Sequence, residues 1–259
     1  MAGAPRYADF VTDRSEADIA LANWQYVEEW LEEDAPATQA RPKGQSMGAV
    51  PVGAGGGAML RFLAASINAR SVVEIGTGAG VSGTWLLRGM APDGLLTSID
   101  LEPEHQRVAK QTFIAAGFPL SRFRLIAGNA LEVLPRLTDG AYDMVFGDAS
   151  KEEYIGYFDE AIRLLRPGGI MAFDNALWHG RVADLANRDA ATVAVRELLK
   201  RVRDDERLVP LLSPNGDGLL AAVLRDEAQQ EAAASPAATS STAKSATKQD
   251  PNTDSLKLP

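Results

Sequence analysis

"VVEIGTGAGVSG", residues 72–83, joins a short β-branched run to a glycine-rich turn and then to a helical pattern. The run ends at Gly76, and Gly78, Gly80 and Gly83 follow it. Glycine serves where a backbone takes unusual dihedrals or lets a ligand come close. In an open α/β sheet, ligands bind outside the carboxyl ends of the strands, near the first one. The next apolar run, "LLTSID", ends in Asp100, an acid placed to accept hydrogen bonds from ribose hydroxyls. Turn and acid together read as a nucleoside cradle.

Outward from this turn the chain alternates strand and helix. "SVVEI" (71–75), "LLTSID" (95–100), "FRLIA" (123–127), "YDMVFG" (142–147) and "GIMAF" (169–173) read as strands. The segments 81–90, 102–117, 130–137, 151–165 and 188–205 read as the helices after them. That rhythm predicts a Rossmann-like α/β fold, with a mostly parallel sheet covered by helices on both faces. The strands are near-continuous apolar runs, as strands buried on both sides are. Two closing strands, 207–213 and 218–225, are separated only by the turn cluster "PNGDG" and must pair antiparallel. Ahead of the first strand, residues 16–34 have helical spacing, 35–57 look irregular because of their prolines and glycines, and a helix begins near Gly57.

Composition narrows the function classes. Of 259 residues, 35 are acidic and 26 basic, for a net charge of −9. Such a chain is a poor default binder of nucleic acid or anionic membranes. It has no cysteine, which removes disulfides, thiolate nucleophiles and cysteine-ligated zinc. No apolar stretch approaches the about 18 residues of a membrane span, and no signal-peptide pattern opens the chain. Cytoplasm is the expected location. From Asp226 the text turns to Ala, Ser, Thr, Gln and Pro, too polar to offset its own ordering entropy. The expected organisation is therefore an N-terminal helical or irregular segment over 1–45, one domain over 46–225, and a disordered low-complexity tail over 226–259.

Two nucleoside cofactors compete for the cradle. "GAGVSG" (78–83) formally matches a dinucleotide fingerprint, but the match begins late in the turn. The spacing Glu74-x-Gly76-x-Gly78-x-Gly80 describes the stretch better. An acid at that point is awkward for a pyrophosphate and suits a ligand with an ammonium group and no phosphate. S-adenosylmethionine (SAM) has that chemistry, with a ribose, an amino acid and a cationic sulfur. The plainer alternatives are a tight turn without a ligand and, for Glu74, a local cap or salt bridge.

Asp148 ends the fourth strand, and Asp174 and Asn175 end the fifth. If those strands are neighbours, two carboxylates and one amide oxygen lie side by side. Mg²⁺ accepts such a set and leaves its other positions to water or ligand; Mn²⁺ or Ca²⁺ are the alternatives. Helix-capping or turn roles compete with this reading. Lys151 follows Asp148 by three residues. A lysine beside a dication finds its ammonium form disfavoured, which suits a general base; a solvated surface lysine competes. Of two histidines, His179 reads as a loop-packing residue and His105 as solvated. Trp178 is either a wall for an aromatic substrate or core.

In combination, "VVEIGTGAGVSGTWLL" (72–87), "LLTSIDLEPEH" (95–105), "AGNALEVLPRL" (127–137) and Asp148-x-x-Lys151 followed by Asp174-Asn175-x-x-Trp178 resemble the class I, metal-dependent O-methyltransferases of the catechol and caffeoyl-CoA type. The resemblance covers roughly residues 45–225. It implies a seven-stranded SAM-binding fold with the last strand reversed. It also implies SAM contacts from Glu74, Gly76, Ser82, Asp100 and Ala130, a backbone contact from Val52, and a share of the donor site for Gly78 and Asp148. Asp148, Asp174 and Asn175 align with the three metal ligands, and Lys151 with the base. A homodimer is implied, with N-terminal helices helping to close the site. Ser150 stands where plant relatives have a second SAM-contacting acid, and "VPVGAGGG" (50–57) lacks their charges.

The implied reaction moves a methyl group from SAM to a hydroxyl of a small phenolic or vicinal-diol acceptor. A SAM enzyme acting on a modified tRNA nucleoside, and a non-catalytic nucleotide- or SAM-binding module, are the competing functions.

Overall fold

The computed structural model describes residues 15–226. The tail expected from Asp226 onward lies outside the described residues, apart from Asp226 itself. Three helices come first: α1 (Glu16–Glu29), α2 (Ala35–Ser46) and α3 (Ala54–Ser66). Then strand and helix alternate through β1 (Ser71–Ile75), α4 (Val81–Gly89), β2 (Leu95–Asp100), α5 (Pro103–Ala115) and β3 (Phe123–Ala127). The alternation continues with α6 (Ala130–Val133), β4 (Tyr142–Gly147), α7 (Tyr154–Leu164), β5 (Leu165–Phe173) and α8 (Ala190–Asp204). The hairpin of β6 (Leu208–Ser213) and β7 (Leu219–Leu224) closes the sheet.

The seven strands lie in the order β3-β2-β1-β4-β5-β7-β6. β7 runs antiparallel to both its neighbours, and the other pairings are parallel. This is the Rossmann-like sheet with a reversed last strand that the sequence implies. Successive side chains of a strand point to opposite faces, and here each face has its own core. Val72, Met144, Phe146, Ile170 and Leu219 pack with α3, α4 and α5. Val73, Val145, Met171, Phe173 and Leu220 pack with α7 and α8.

The segment expected to be irregular, 35–57, contains α2 and the start of α3. Asp34 caps α2 by accepting from the Ala37 N–H (3.2 Å). Pro36 sits in the first turn, where its missing N–H has no helical partner to lose. Ala37, Ala40 and Gly44 form a small-residue face that packs down, so tertiary burial overrides weak propensity. The glycines at 55–57 form the first turn of α3, which receives the Glu28 carboxylate of α1. Glu28 accepts from the Gly55 N–H (3.0 Å) and from the Gly216 N–H in the β6–β7 turn (2.7 Å). One carboxylate thus fastens α1 to a helix N-terminus, where negative charge is favoured, and to the far hairpin.

One position breaks the apolar pattern of the sheet. Glu74 takes the inward place that follows Val72 on the α4 face, and it is fully buried. Ser82 at the start of α4 donates to one carboxyl oxygen (2.6 Å), and Ser98, its cross-strand partner on β2, donates to the other (2.5 Å). Ser98 also shares a 2.6 Å hydrogen bond with Thr77, which accepts from Gln106 (2.9 Å). Burial pushes the Glu74 carboxyl up to about 7 from an ordinary 4.5; the two serine hydroxyls pull against that, and nearby Asp148 and Asp100 add to it.

The folded protein therefore holds this proton more tightly than the unfolded chain does. The cost of ionising Glu74 is absent below its ordinary range, grows up to about pH 7 and stays above it. Glu74→Gln keeps a partner for each serine and removes the titration. Its melting temperature should gain on the wild type between about pH 5 and about pH 8. A difference between the two proteins that stays flat over that interval, measured by thermal melts, would contradict a buried titrating carboxyl.

Candidate active site

The carboxyl ends of β1, β2 and β4 open onto one cleft of about 680 Å³, within the range of small-molecule sites. Parallel pairing sets the strand ends flush. The Gly76 N–H donates to the Ile99 carbonyl (2.8 Å), Asp148 N–H to the Ile75 carbonyl (2.8 Å) and Asp174 N–H to the Gly147 carbonyl (3.1 Å). Gly76 has φ +95°, and any Cβ there would overlap the Asp148 carbonyl oxygen. The turn thus requires glycine both for its dihedral and for the close approach of the next strand.

On one side of the cleft lie Val52, Gly76, Gly78, Ser82, Asp100 and Ala130. Glu74 sits behind Ser82 and reaches the cleft only through that hydroxyl. Asp100 is a hub. Its Oδ2 accepts from the Gly78 N–H (2.8 Å), and its Oδ1 accepts from the Glu102 N–H (2.9 Å) and faces His105 Nδ1 (3.1 Å). Ala130 opens α6 behind Asn129, whose side chain caps that helix through the Leu131 N–H (2.8 Å). Ser150 also lines the cleft.

At the other side Asp148, Lys151, Asn175 and Trp178 line the wall, and Asp174 is buried just behind them. β4 and β5 are neighbours, so the two acids do follow paired residues, Gly147 and Phe173. Lys151 Nζ donates to Asp148 Oδ1 at 2.8 Å. The same ammonium stands 4.9 Å from the Tyr154 ring and 5.7 Å from the Trp178 ring. The Tyr154 hydroxyl donates to the Asp174 carbonyl (2.9 Å). Burial, and then the negative charge of Asp148, push the Asp174 carboxyl up to about 7.

The loop after β5 is locally strained. Asn175, Trp178 and His179 all have positive φ, at 55°, 48° and 55°, a conformation costing on the order of 1 kcal/mol each for such residues. The β6–β7 turn holds the loop down. The Asp217 carbonyl accepts from the Leu177 N–H (2.8 Å), and its carboxylate accepts from the His179 N–H (2.7 Å) and lies 3.4 Å from Asn175 Nδ2. Beyond His179, Arg196 of α8 donates to the carbonyls of Arg181 (2.8 Å), Val182 (3.0 Å), Asp184 and Asn187 (2.7 Å).

Three of these residues escape a reading of the sequence. His105, expected to be solvated, is instead nearly buried and bonded to Asp100. The signal available was its place five residues after a strand-ending acid. Asp217 lies in what reads as an ordinary turn, and only the placement of β7 beside β5 brings it to the site. Tyr154 reads as one of several aromatic residues on an amphipathic helix.

The family model described as O-methyltransferase matches residues 23–225. A protein from Mycobacterium sp. (strain JLS), provisionally named an O-methyltransferase, is 50% identical over 209 residues, covering 81% of this chain and 93% of its own. A relative of similar name from Mycolicibacterium smegmatis is 50% identical over 207 residues, covering 80% and 99%. Among solved structures, the O-methyltransferase TomG from Streptomyces achromogenes, in complex with SAM, is 27% identical, with a TM-score of 0.71 over 82% of this chain and 100% of TomG. An O-methyltransferase from Bacillus cereus, in complex with SAH, is 26% identical, with a TM-score of 0.69 over 79% and 97%. Shared sequence along nearly the whole length of these relatives, on the same doubly covered sheet, leads to one conclusion: the chain belongs to the O-methyltransferase family and is a methyltransferase enzyme.

Proposed function

We propose that the cleft binds SAM and passes its methyl group to a hydroxyl of a small phenolic or vicinal-diol acceptor, with a divalent metal at the acid end. The observation that carries this reading is the opening of two different chemistries onto one cleft: the Gly78–Asp100 cradle on one side, and Asp148 with Lys151, backed by the buried Asp174, on the other. TomG and the Bacillus cereus protein were solved with SAM and SAH, which supports the donor. In this reading Asp100 meets the ribose, and Val52, Gly76, Gly78, Ser82 and Ala130 line the donor's bed. Glu74 orients Ser82 from behind, and Asp148 serves donor and metal sites together.

The donor set suits a hard dication. Two carboxylates crowd one spot, and burial, then the charge of Asp148, pushes Asp174 up to about 7; a dication there would offset the crowded negative charge. Asn175 turns its amide nitrogen toward Asp217 and has its oxygen to offer. Among the described residues no three His, Cys, Asp or Glu groups converge as a metal site; the proposed set holds two such residues and an amide. Mg²⁺ is the proposed ion, with Mn²⁺ and Ca²⁺ as alternatives.

When bound, the metal would supply charge that lowers the acceptor hydroxyl's pKa, and SAM would supply an electrophilic methyl. The chain's own residues do the rest. Lys151, once its ammonium has given up a proton to solvent, takes the hydroxyl proton at Nζ as the neutral amine. The acceptor oxygen forms a bond to the methyl carbon as the carbon–sulfur bond breaks. Trp178 walls the acceptor side, and the flush strand ends keep oxygen and methyl aligned.

The exposed Trp24, Tyr26 and Val27 of α1 with Trp30 at its C-cap, and Val209, Leu211 and Leu212 on edge strand β6, support a homodimer. No helix among the described residues is long and apolar enough to cross a membrane, and we read the enzyme as cytoplasmic.

A labelled-methyl assay over catechols, hydroxycinnamates and flavonoids, with and without chelator, tests the acceptor class and the metal together. Asp174→Ala should abolish chelator-sensitive turnover and leave SAM binding nearly unchanged; a large loss of SAM binding would mean that Asp174 serves the donor. Lys151→Ala should lower kcat about 100-fold with little change in SAM affinity. Wild-type turnover in that variant would remove Lys151 as the base.

A further inference from the structure

Residues 47–53, between α2 and α3, form one wall of the cleft through Gly48, Ala49, Val50, Pro51 and Val52. They belong to no helix or strand; the N–H groups of Met47 (2.9 Å) and Ala49 (3.0 Å) bond back to the Gly44 carbonyl of α2, and side chains from elsewhere add to that hold. Two grip carbonyls at the ends of the segment. Arg41, ion-paired with Glu33, donates to the Val52 carbonyl (2.7 Å). At the other end His105 Nε2 faces the Met47 carbonyl at 3.4 Å, while its Nδ1 faces Asp100 Oδ1 at 3.1 Å.

Both atoms that face the ring are acceptors. A neutral imidazole has one N–H and satisfies one of them, whereas the imidazolium has two and satisfies both. The ring is 13% exposed, so water does little to fill a missing bond. Asp100 is committed on its other oxygen to the Gly78 N–H (2.8 Å). A continuous chain of bonds therefore runs from the glycine-rich turn through Asp100 and His105 to the covering wall.

We infer that His105 is a positioning residue for the methyl donor: as the imidazolium it ties the 47–53 wall to Asp100, so that wall and ribose-facing carboxylate move as one. The inference rests on the SAM reading above. The charged groups around the ring are few. Asp100 faces it from the end of β2. On its own helix, Glu104 is paired with Arg107. α2 brings the exposed Lys43, and the covering segment brings no charge. With a single N–H the ring can keep only one partner, and the longer contact, to Met47, is the weaker of the two. The wall then loosens and donor affinity falls.

Calorimetry with S-adenosylhomocysteine, on wild type and His105→Gln from pH 6 to pH 8.5, tests this. At pH 6 the variant should bind about tenfold more weakly, the loss of roughly one charge-assisted hydrogen bond. Across the interval the wild-type Kd should rise several-fold more than that of the variant, and the two should converge at high pH. Amide exchange at residues 48–53 should be faster in the variant at low pH. Equal affinities with parallel pH profiles would overturn the inference. If the wild type fails to bind at any pH, the SAM reading is what fails, and amide exchange in the ligand-free proteins still decides His105. The chain has only two histidines, so ring nitrogen NMR of the wild type gives a check without a variant. Two protonated nitrogens are expected for His105 at the pH where the wild type outbinds the variant, and a single protonated nitrogen there would refute the bridge.

Discussion

Gly76 is where the sheet becomes a site. Its backbone bends out of β1 with a dihedral that side chains disfavour, and the space where its Cβ would stand is filled by the Asp148 carbonyl. That single approach sets β1 and β4 flush, and the parallel register carries the alignment on to β5 through the Asp174 N–H and the Gly147 carbonyl. Asp100, Asp148 and Asp174 inherit their positions from this edge. A side chain at residue 76 would have to push the strands apart, and the two chemistries would no longer open onto the same space.

The flush edge has an electrostatic cost. It gathers Glu74, Asp100, Asp148 and Asp174 at one end of the sheet, with Asp217 joining from the hairpin, and two of these carboxyls are pushed up to about 7. Burial is the largest cause for both, and mutual repulsion adds to it. The protein answers locally: serine hydroxyls at Glu74, backbone N–H groups at Asp100, and one lysine at Asp148. At Asp174 the Asn175 backbone N–H and the charge of Lys151 pull against the shift. A sheet edge so short of positive charge favours cationic ligands over anionic ones, which fits a sulfonium donor and a dication better than a pyrophosphate.

Much of this was legible in the linear text because it is local. Strand–turn–helix units announce themselves by apolar runs that stop at Gly or Asp, so β1 to β5, the glycine-rich turn and the strand-ending acids could be placed. α2 could not, because its prolines and glycines read as breakers. Only the cap at Asp34 and the packing of Ala37, Ala40 and Gly44 make it a helix. His105 and Asp217 were hidden for a different reason. Each matters through partners far along the chain, Met47 for one and Asn175 for the other, and spacing alone carries no trace of such contacts. Glu74 lies between these cases. Its place in the turn was plain, but its retreat behind Ser82 depends on which face of β1 the side chain takes.

The two halves of the cleft are built on different principles. The part of the cleft proposed for the donor is mostly sheet edge, with positions fixed by ladder hydrogen bonds. The remaining walls are 47–53 and the loop after Asn175, which have little regular structure and are pinned from outside. In both, a guanidinium grips carbonyls: Arg41 at Val52, and Arg196 at four carbonyls between Arg181 and Asn187. A planar fork with five N–H donors can hold an irregular backbone whatever side chains that backbone carries. Substitutions within these loops would then reshape the cleft walls without loosening them, while the sheet edge proposed to place the methyl group stays untouched.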